Sequence, residues 1–264
     1  MSTAGRRQRH ESWRGAVSMF TIVPVRGPET ITPEIAAGIT HWLPAVGCLL
    51  AVPAAGLMLA VEVGAGSAAG RLLGATLAIA ALAVLTGGLH LDGLADTADG
   101  LGSRRPVQEA LELMRRSDTG PMGVAALVLT LLVQVTALAA ISPRWLGPAA
   151  LVAAVVTGRV AVLVAASSPP ARQDGFGALI AGTADRRARW TAVAVLVAIT
   201  GAAGAAASGP VLAARGVVAI IAGLAAAAWL RMVACRRLGG MTGDVYGALI
   251  EISTATVLLA VAVS

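Results

Sequence analysis

Gly87-Gly88-Leu89-His90-Leu91-Asp92-Gly93-Leu94-Ala95-Asp96-Thr97-Ala98-Asp99-Gly100-Leu101-Gly102 closes a long apolar run and sets three aspartates within one short stretch. On a helix, Asp92, Asp96 and Asp99 stand at i, i+4 and i+7, so all three project from one face. Carboxylates that close repel one another unless a cation lies between them. A hard divalent ion with oxygen ligands answers that pattern, Mg²⁺ before others, and Mg²⁺ usually joins protein carboxylates to substrate phosphates. The competing reading is an acidic, solvated turn after a helix. An EF-hand is not expected, because the spacing lacks the alternate-residue ligands of that loop.

Around this stretch the chain is composed for a bilayer. Of its 264 residues 57% are hydrophobic and only 13% charged, and the mean hydropathy is +0.80. That balance excludes a soluble globular domain. Aromatic residues are 3% of the chain, while Ala and Gly abound, which suits helices that approach closely in lipid. Every one of the 20 Lys/Arg positions is Arg. No basic motif with interleaved aromatics accompanies them, so nucleic acid is not an expected partner and the arginines read as topology signals. Cys48 and Cys235 lie too far apart in context to imply a disulfide or zinc framework. Arg6, Arg7 and Arg9 are not followed by a hydrophobic core segment, so no cleavable signal peptide is expected.

The pattern predicts an all-α, polytopic bundle of about seven transmembrane helices forming a single membrane domain over 1–264. Residues 1–34 form a polar, basic N-terminal segment and 35–264 the bundle. Within that segment the apolar piece Phe20 to Val25 is expected on the membrane surface. Spans are expected at about 36–61, with a kink from Pro44 and Pro53, then 71–91, 120–141, 147–167, 190–208, 211–230 and 245 to the C-terminus. With a cytoplasmic N-terminus, the cytoplasmic pieces 1–34, 92–119, 168–189 and 231–244 hold 16 of the 20 arginines. The opposite side receives Arg71, Arg144 and Arg215, and Arg159 falls inside a span. That asymmetry follows the positive-inside rule.

A second unusual stretch is Gly239-Gly240-Met241-Thr242-Gly243-Asp244, running on to Glu251. Glycines before a helix start leave backbone N–H groups for an anion, which points to Gly240 and Gly243, and Thr242 suits an N-cap. Asp244 and Glu251 share a helix face. Glu251 lies in an apolar span and needs a partner, as does Arg159. A phosphate matches the Arg159 guanidinium, and a structural ion pair is the other reading. Arg159 and Glu251 are expected at similar depth, facing one polar cavity. Arg172, in a Pro/Gly-rich loop, either touches phosphate or faces water. His90 and His41 read as packed or hydrogen-bonding residues.

The segment His90 to Leu101 resembles the signature of the adenosylcobinamide-GDP ribazoletransferase family, also called cobalamin (5′-phosphate) synthase. Glu112-Leu113-Met114-Arg115-Arg116-Ser117-Asp118-Thr119-Gly120-Pro121-Met122-Gly123-Val124 is similar to that family's next segment. Arg159, Ala171-Arg172, Gly175-Phe176-Gly177, Gly239 to Asp244 and Phe20 to Pro24 fit as well, so the resemblance covers about residues 15–260. One departure stands out: Arg116 precedes Asp118, where the family has an acidic residue and then a basic one.

The resemblance implies a Mg²⁺-dependent enzyme of the bacterial inner membrane with a cytoplasmic active site. It would join adenosylcobinamide-GDP to α-ribazole or α-ribazole 5′-phosphate and release GMP. Under it, Asp92, Asp96, Asp99 and Asp244 are the catalytic and metal-binding carboxylates. Arg159, Arg172, Gly240, Thr242, Gly243 and Glu251 are the substrate-binding residues. Two rivals remain on the residues themselves. A CDP-alcohol phosphotransferase also spaces aspartates on helices, but its Asp-Gly is followed by Ala-Arg, whereas here Ala95 precedes Asp96. A cation- or proton-coupled transporter would use Arg159 and Glu251 as a relay.

Overall fold

In the computed structural model, residues 3–116 and 118–264 are described; Met1, Ser2 and Ser117, the last of which falls in the second resembling segment, lie outside them. The described chain is helical: α1 (Thr3–Phe20), α2 (Pro33–Ala65), α3 (Ala68–Leu85), α4 (Leu89–Gly102), α5 (Val107–Leu113), α6 (Pro121–Ala140), α7 (Leu146–Ala165), α8 (Gly175–Ile180), α9 (Arg186–Ser208), α10 (Pro210–Leu238) and α11 (Gly243–Ala262). Seven of these, α2, α3, α6, α7, α9, α10 and α11, are long and apolar enough to cross a membrane. The protein is a polytopic helical membrane protein.

Local chemistry marks the helix ends. Thr32 accepts a hydrogen bond from the Ile35 N–H, with Pro33 at the first helical position and Gly66 closing α2 in the left-handed region. Asp185 accepts from the Ala188 N–H at 2.6 Å to start α9, and Ser67 caps α3. Inside the bundle α7 and α11 are the most enclosed spans, flanked by α2, α6 and α10, while α9 is the outermost.

Three outcomes differ from the sequence expectation. The second span ends at Leu85 rather than near 91, because Gly87 and Gly88 take φ of +61° and +75° and turn the chain before α4, so the aspartates ride on a separate helix packed on α6 and α11. The N-terminal segment carries a helix, α1, whose Ala16, Val17 and Phe20 are buried. Trp13 of α1 meets Trp42 edge-on at 5.1 Å. The sixth span extends through Leu238, placing Arg231, Arg236 and Arg237 on a helix instead of in a loop. α2 runs unbroken through Pro44 and Pro53. The piece after α1 is tied down where the Ile22 N–H donates to the Leu85 carbonyl at 2.9 Å.

Candidate active site

The site forms where α4 crosses the start of α11. The crossing is close because both contact positions are glycine. A Cβ on Gly93 would come 2.7 Å from the Asp244 carbonyl oxygen, and one on Gly247 would come 3.2 Å from the His90 Cα. That approach carries Asp92 and Asp96 of α4 up to Asp244 of α11. Thr242 caps α11 as its residue type predicts: its Oγ1 accepts from the Val245 N–H at 3.2 Å and donates to Asp244 Oδ2 at 3.1 Å. The cap therefore also orients the carboxylate.

Arg172 arrives from the α7–α8 loop through a short backbone pairing. The Ala171 N–H donates to the Met241 carbonyl and the Met241 N–H to the Pro169 carbonyl, each at 2.9 Å. Gly240 makes this pairing possible, since a Cβ there would lie 2.5 Å from the Pro169 oxygen and 2.6 Å from the Ala171 nitrogen. Gly240 thus serves close backbone approach and does not line the pocket, whereas Thr242 and Gly243 do. Arg172 Nη2 donates to the Leu111 carbonyl, and its Nε is buried without a hydrogen-bond partner. Burial lowers its pKa, partly opposed by Asp244. At the rim, Arg115 Nη2 bonds both oxygens of Asp174 at 2.9 Å, a pair the sequence reading did not single out.

These elements enclose a cavity of about 310 Å³. Asp92, Asp244, Arg172, Thr242 and Gly243 line it, and so do Phe20, His90, Phe176 and Tyr246. Sequence reasoning passed over the aromatic side chains; the available signal was that Phe20 and Phe176 lie in resembling segments of a chain nearly devoid of aromatics.

The electrostatics show mutual repulsion among the carboxylates. Burial pushes the Asp96 carboxyl up to about 7, and the Asp92, Asp244 and Asp99 charges push the same way, against a pull from Arg172. Among the described residues, no three His, Cys, Asp or Glu side chains form a ready-made metal cage. An all-oxygen set of repelling carboxylates still fits Mg²⁺, which takes one or two protein carboxylates and completes its shell with water and phosphate oxygens.

Of the residues expected at the site, Asp96 sits beside Asp92 and Asp244 without lining this cavity, Gly240 serves the backbone pairing, and Asp99, Arg159 and Glu251 are placed elsewhere. Asp99 accepts from the Gly120 N–H at 2.6 Å and the Gly123 N–H at 2.9 Å. Both its oxygens cap the start of α6, whose own cap residue, Gly120, has no side chain to do so. Arg159 and Glu251 line a second, much smaller cavity of about 20 Å³, together with Thr86, His90, Gln134 and Thr254. That volume holds a water molecule, not a phosphate. They do face one polar cavity, as their depth predicts. They form no ion pair: Gln134 Nε2 donates to Glu251 Oε2 at 2.8 Å, and Arg159 Nη1 donates to the Val155 carbonyl at 3.2 Å. His90 lines both cavities. Its Nε2 is buried without a partner, and burial together with the Arg159 charge holds its pKa well below the ordinary range.

Comparison with known proteins points to the same family along nearly all of the chain. The sequence profile described as cobalamin-5-phosphate synthase matches residues 12–262. A Frankia casuarinae protein named adenosylcobinamide-GDP ribazoletransferase is 37% identical over 261 residues, covering 95% of this chain and 94% of its own length. Proteins of the same name from Bradyrhizobium diazoefficiens and Nocardioides sp. are 37% and 36% identical, covering 94% and 95% of this chain and 92% and 97% of their own lengths. No solved structure matches. The chain belongs to the cobalamin-5-phosphate synthase family of membrane transferases.

Proposed function

We propose that this protein transfers the phosphocobinamide group of adenosylcobinamide-GDP to a ribose hydroxyl of α-ribazole or α-ribazole 5′-phosphate, at the cytoplasmic face of the inner membrane. The observation that carries the reading is the meeting of Asp92, Asp244 and Arg172 in one cavity of about 310 Å³, in a chain whose relatives bear the ribazoletransferase name. The location of 16 arginines in the segments at that end of the bundle supports its cytoplasmic placement.

In this reaction the acceptor oxygen forms a bond to the cobinamide-side phosphorus as the bond from that phosphorus to the GMP oxygen breaks. GMP departs and the hydroxyl proton is released. Asp92 and Asp244, with Asp96 beside them, would hold one or two Mg²⁺, which would supply charge neutralisation for the diphosphate and the leaving group. Arg172, which lines the cavity, binds a phosphate oxygen through a charge-assisted hydrogen bond. Thr242 holds the Asp244 carboxylate in place. Gly93 keeps Asp92 and Asp244 within reach of one substrate. Asp99 ties the start of α6 to α4 and so supports the aspartate helix.

The test is direct. Purified protein in lipid nanodiscs, given adenosylcobinamide-GDP, α-ribazole and Mg²⁺, should release GMP and form a corrinoid carrying the ribazole base. Absence of GMP release, or release without ribazole, overturns the reading. Reporter fusions after residues 30, 110, 180 and 238 should all read cytoplasmic.

A further inference from the structure

The chain contains two Phe and one Tyr, and all three meet at one place. Phe20 ends α1, Phe176 begins α8 and Tyr246 lies in the first turn of α11, and each lines the cavity that holds Asp92, Asp244 and Arg172. The Phe176 ring lies 5.2 Å from Phe20 at an interplanar angle of 74° and 6.1 Å from Tyr246 at 83°. Both neighbours are near perpendicular to it, the edge-to-face arrangement that steadies a ring. Neither is stacked parallel upon it. Phe20 and Tyr246 are buried, while Phe176 stays partly exposed.

The backbone is shaped around this side chain. Gly175 takes φ of +79°, and a Cβ on Gly177 would lie 2.5 Å from the Met241 carbonyl oxygen. Glycine on either side lets the chain turn and press against residues 241–242 with Phe176 between. Apart from Phe20 and Tyr246, the buried apolar side chains are Ala, Val, Leu, Ile and Met, so the Phe and Tyr rings of the chain are gathered at this one place in an otherwise non-aromatic core.

We propose that Phe176, steadied by Phe20 and Tyr246, is the stacking platform for the planar heteroaromatic base of a substrate nucleotide, set beside the carboxylates and arginine that handle the phosphates. The inference rests on the transferase reading above and deepens it, because both substrates of that reaction carry a flat base: guanine on the donor and benzimidazole on the acceptor. Base-on-aromatic stacking is insensitive to base identity, so the geometry specifies the chemistry and the experiment identifies the source.

The variants are Phe176→Leu and Phe176→Met, which fill the space without a ring, and Phe176→Trp, which keeps one. Binding of GMP and of α-ribazole is measured by calorimetry in nanodiscs, alongside KM and kcat for both substrates. Loss of the ring should weaken binding by roughly 5- to 150-fold, with the same rise in KM and a smaller change in kcat, and Phe176→Trp should restore it. A loss confined to GMP and the donor assigns the platform to guanine; one confined to α-ribazole assigns it to the benzimidazole. Wild-type affinity for both probes in Phe176→Leu or Phe176→Met overturns the proposal while wild-type turnover leaves the transferase reading standing. A fall in kcat at unchanged KM and binding also overturns it, since Phe176 would then only position the loop. A wild-type protein that binds the probes but transfers nothing sinks the transferase reading and leaves the platform.

Discussion

Two cavities lie on either side of His90, and they use similar side chains to opposite ends. The larger, about 310 Å³, gathers Asp92, Asp244 and Arg172. The smaller, about 20 Å³, gathers Arg159, Glu251 and Gln134. Each sets arginine near carboxylate. In the first, two glycine contacts bring carboxylates together faster than the protein supplies partners, and Arg172 keeps an unbonded Nε. In the second, Gln134 and a backbone carbonyl satisfy the charged groups, and the space left is water-sized. Charge type does not separate the two cavities; volume does, since only the larger has room for more than a water molecule.

The largest effect should come from the pocket carboxylates. Asp92→Asn and Asp244→Asn should each lower kcat by about a thousandfold or more, with membrane insertion unchanged, because a neutral amide cannot hold the cation or its charge. Near-normal rates at saturating Mg²⁺ would dissolve the contrast between the two cavities.

Next is the crossing itself. Gly93→Ala places a methyl where a contact of 2.7 Å to the Asp244 carbonyl awaits. Separation of α4 from α11 should destabilise the protein by about 1–3 kcal/mol and reduce turnover far more than thermal stability would suggest. Wild-type kinetics in this variant would show that the helices need not be so close.

A smaller, purely structural effect is expected in the second cavity. Arg159→Leu or Glu251→Leu alone removes the opposite charge facing the other buried group across this cavity, at a cost of about 1–3 kcal/mol. The double change should be milder than the sum of the two and retain measurable turnover. A double variant that folds with full stability yet has no activity would return Arg159 to the substrate.

The gentlest probe is pH. Asp96 is raised to about 7 from an ordinary 3.8, so its proton is bound more tightly in the folded protein than in the unfolded chain. Stability from this group is therefore present at low pH and lost as pH rises from about 4 through about 7. Mg²⁺ affinity should run the other way, weakening as pH falls below about 7 and the charge disappears. Thermal melts with and without Mg²⁺ across that window check both signs, and a metal affinity independent of pH would remove Asp96 from the proposed ligand set.

Much of the architecture is legible without coordinates, because a bilayer demands long apolar helices and leaves few ways to arrange them. The sequence alone supports seven spans, arginine at one end, three aspartates on one helical face and a capped, glycine-rich start to α11. Its reading of Thr242 as a helix cap and its expectation that Arg159 and Glu251 face one cavity match the structure, since each depends on near neighbours or on helical rise. What depends on distant partners was decided only by the tertiary structure. Asp99 has the same spacing as Asp92 and Asp96, yet its oxygens meet the N–H groups of Gly120 and Gly123, more than twenty residues on. Gly240 looks like an anion loop until Pro169 lies against it. Phe20, Phe176 and Tyr246 share no spacing at all. A helical face records which side chains can point together, but which groups meet, and how much room is left between them, is set by packing between segments far apart in the chain.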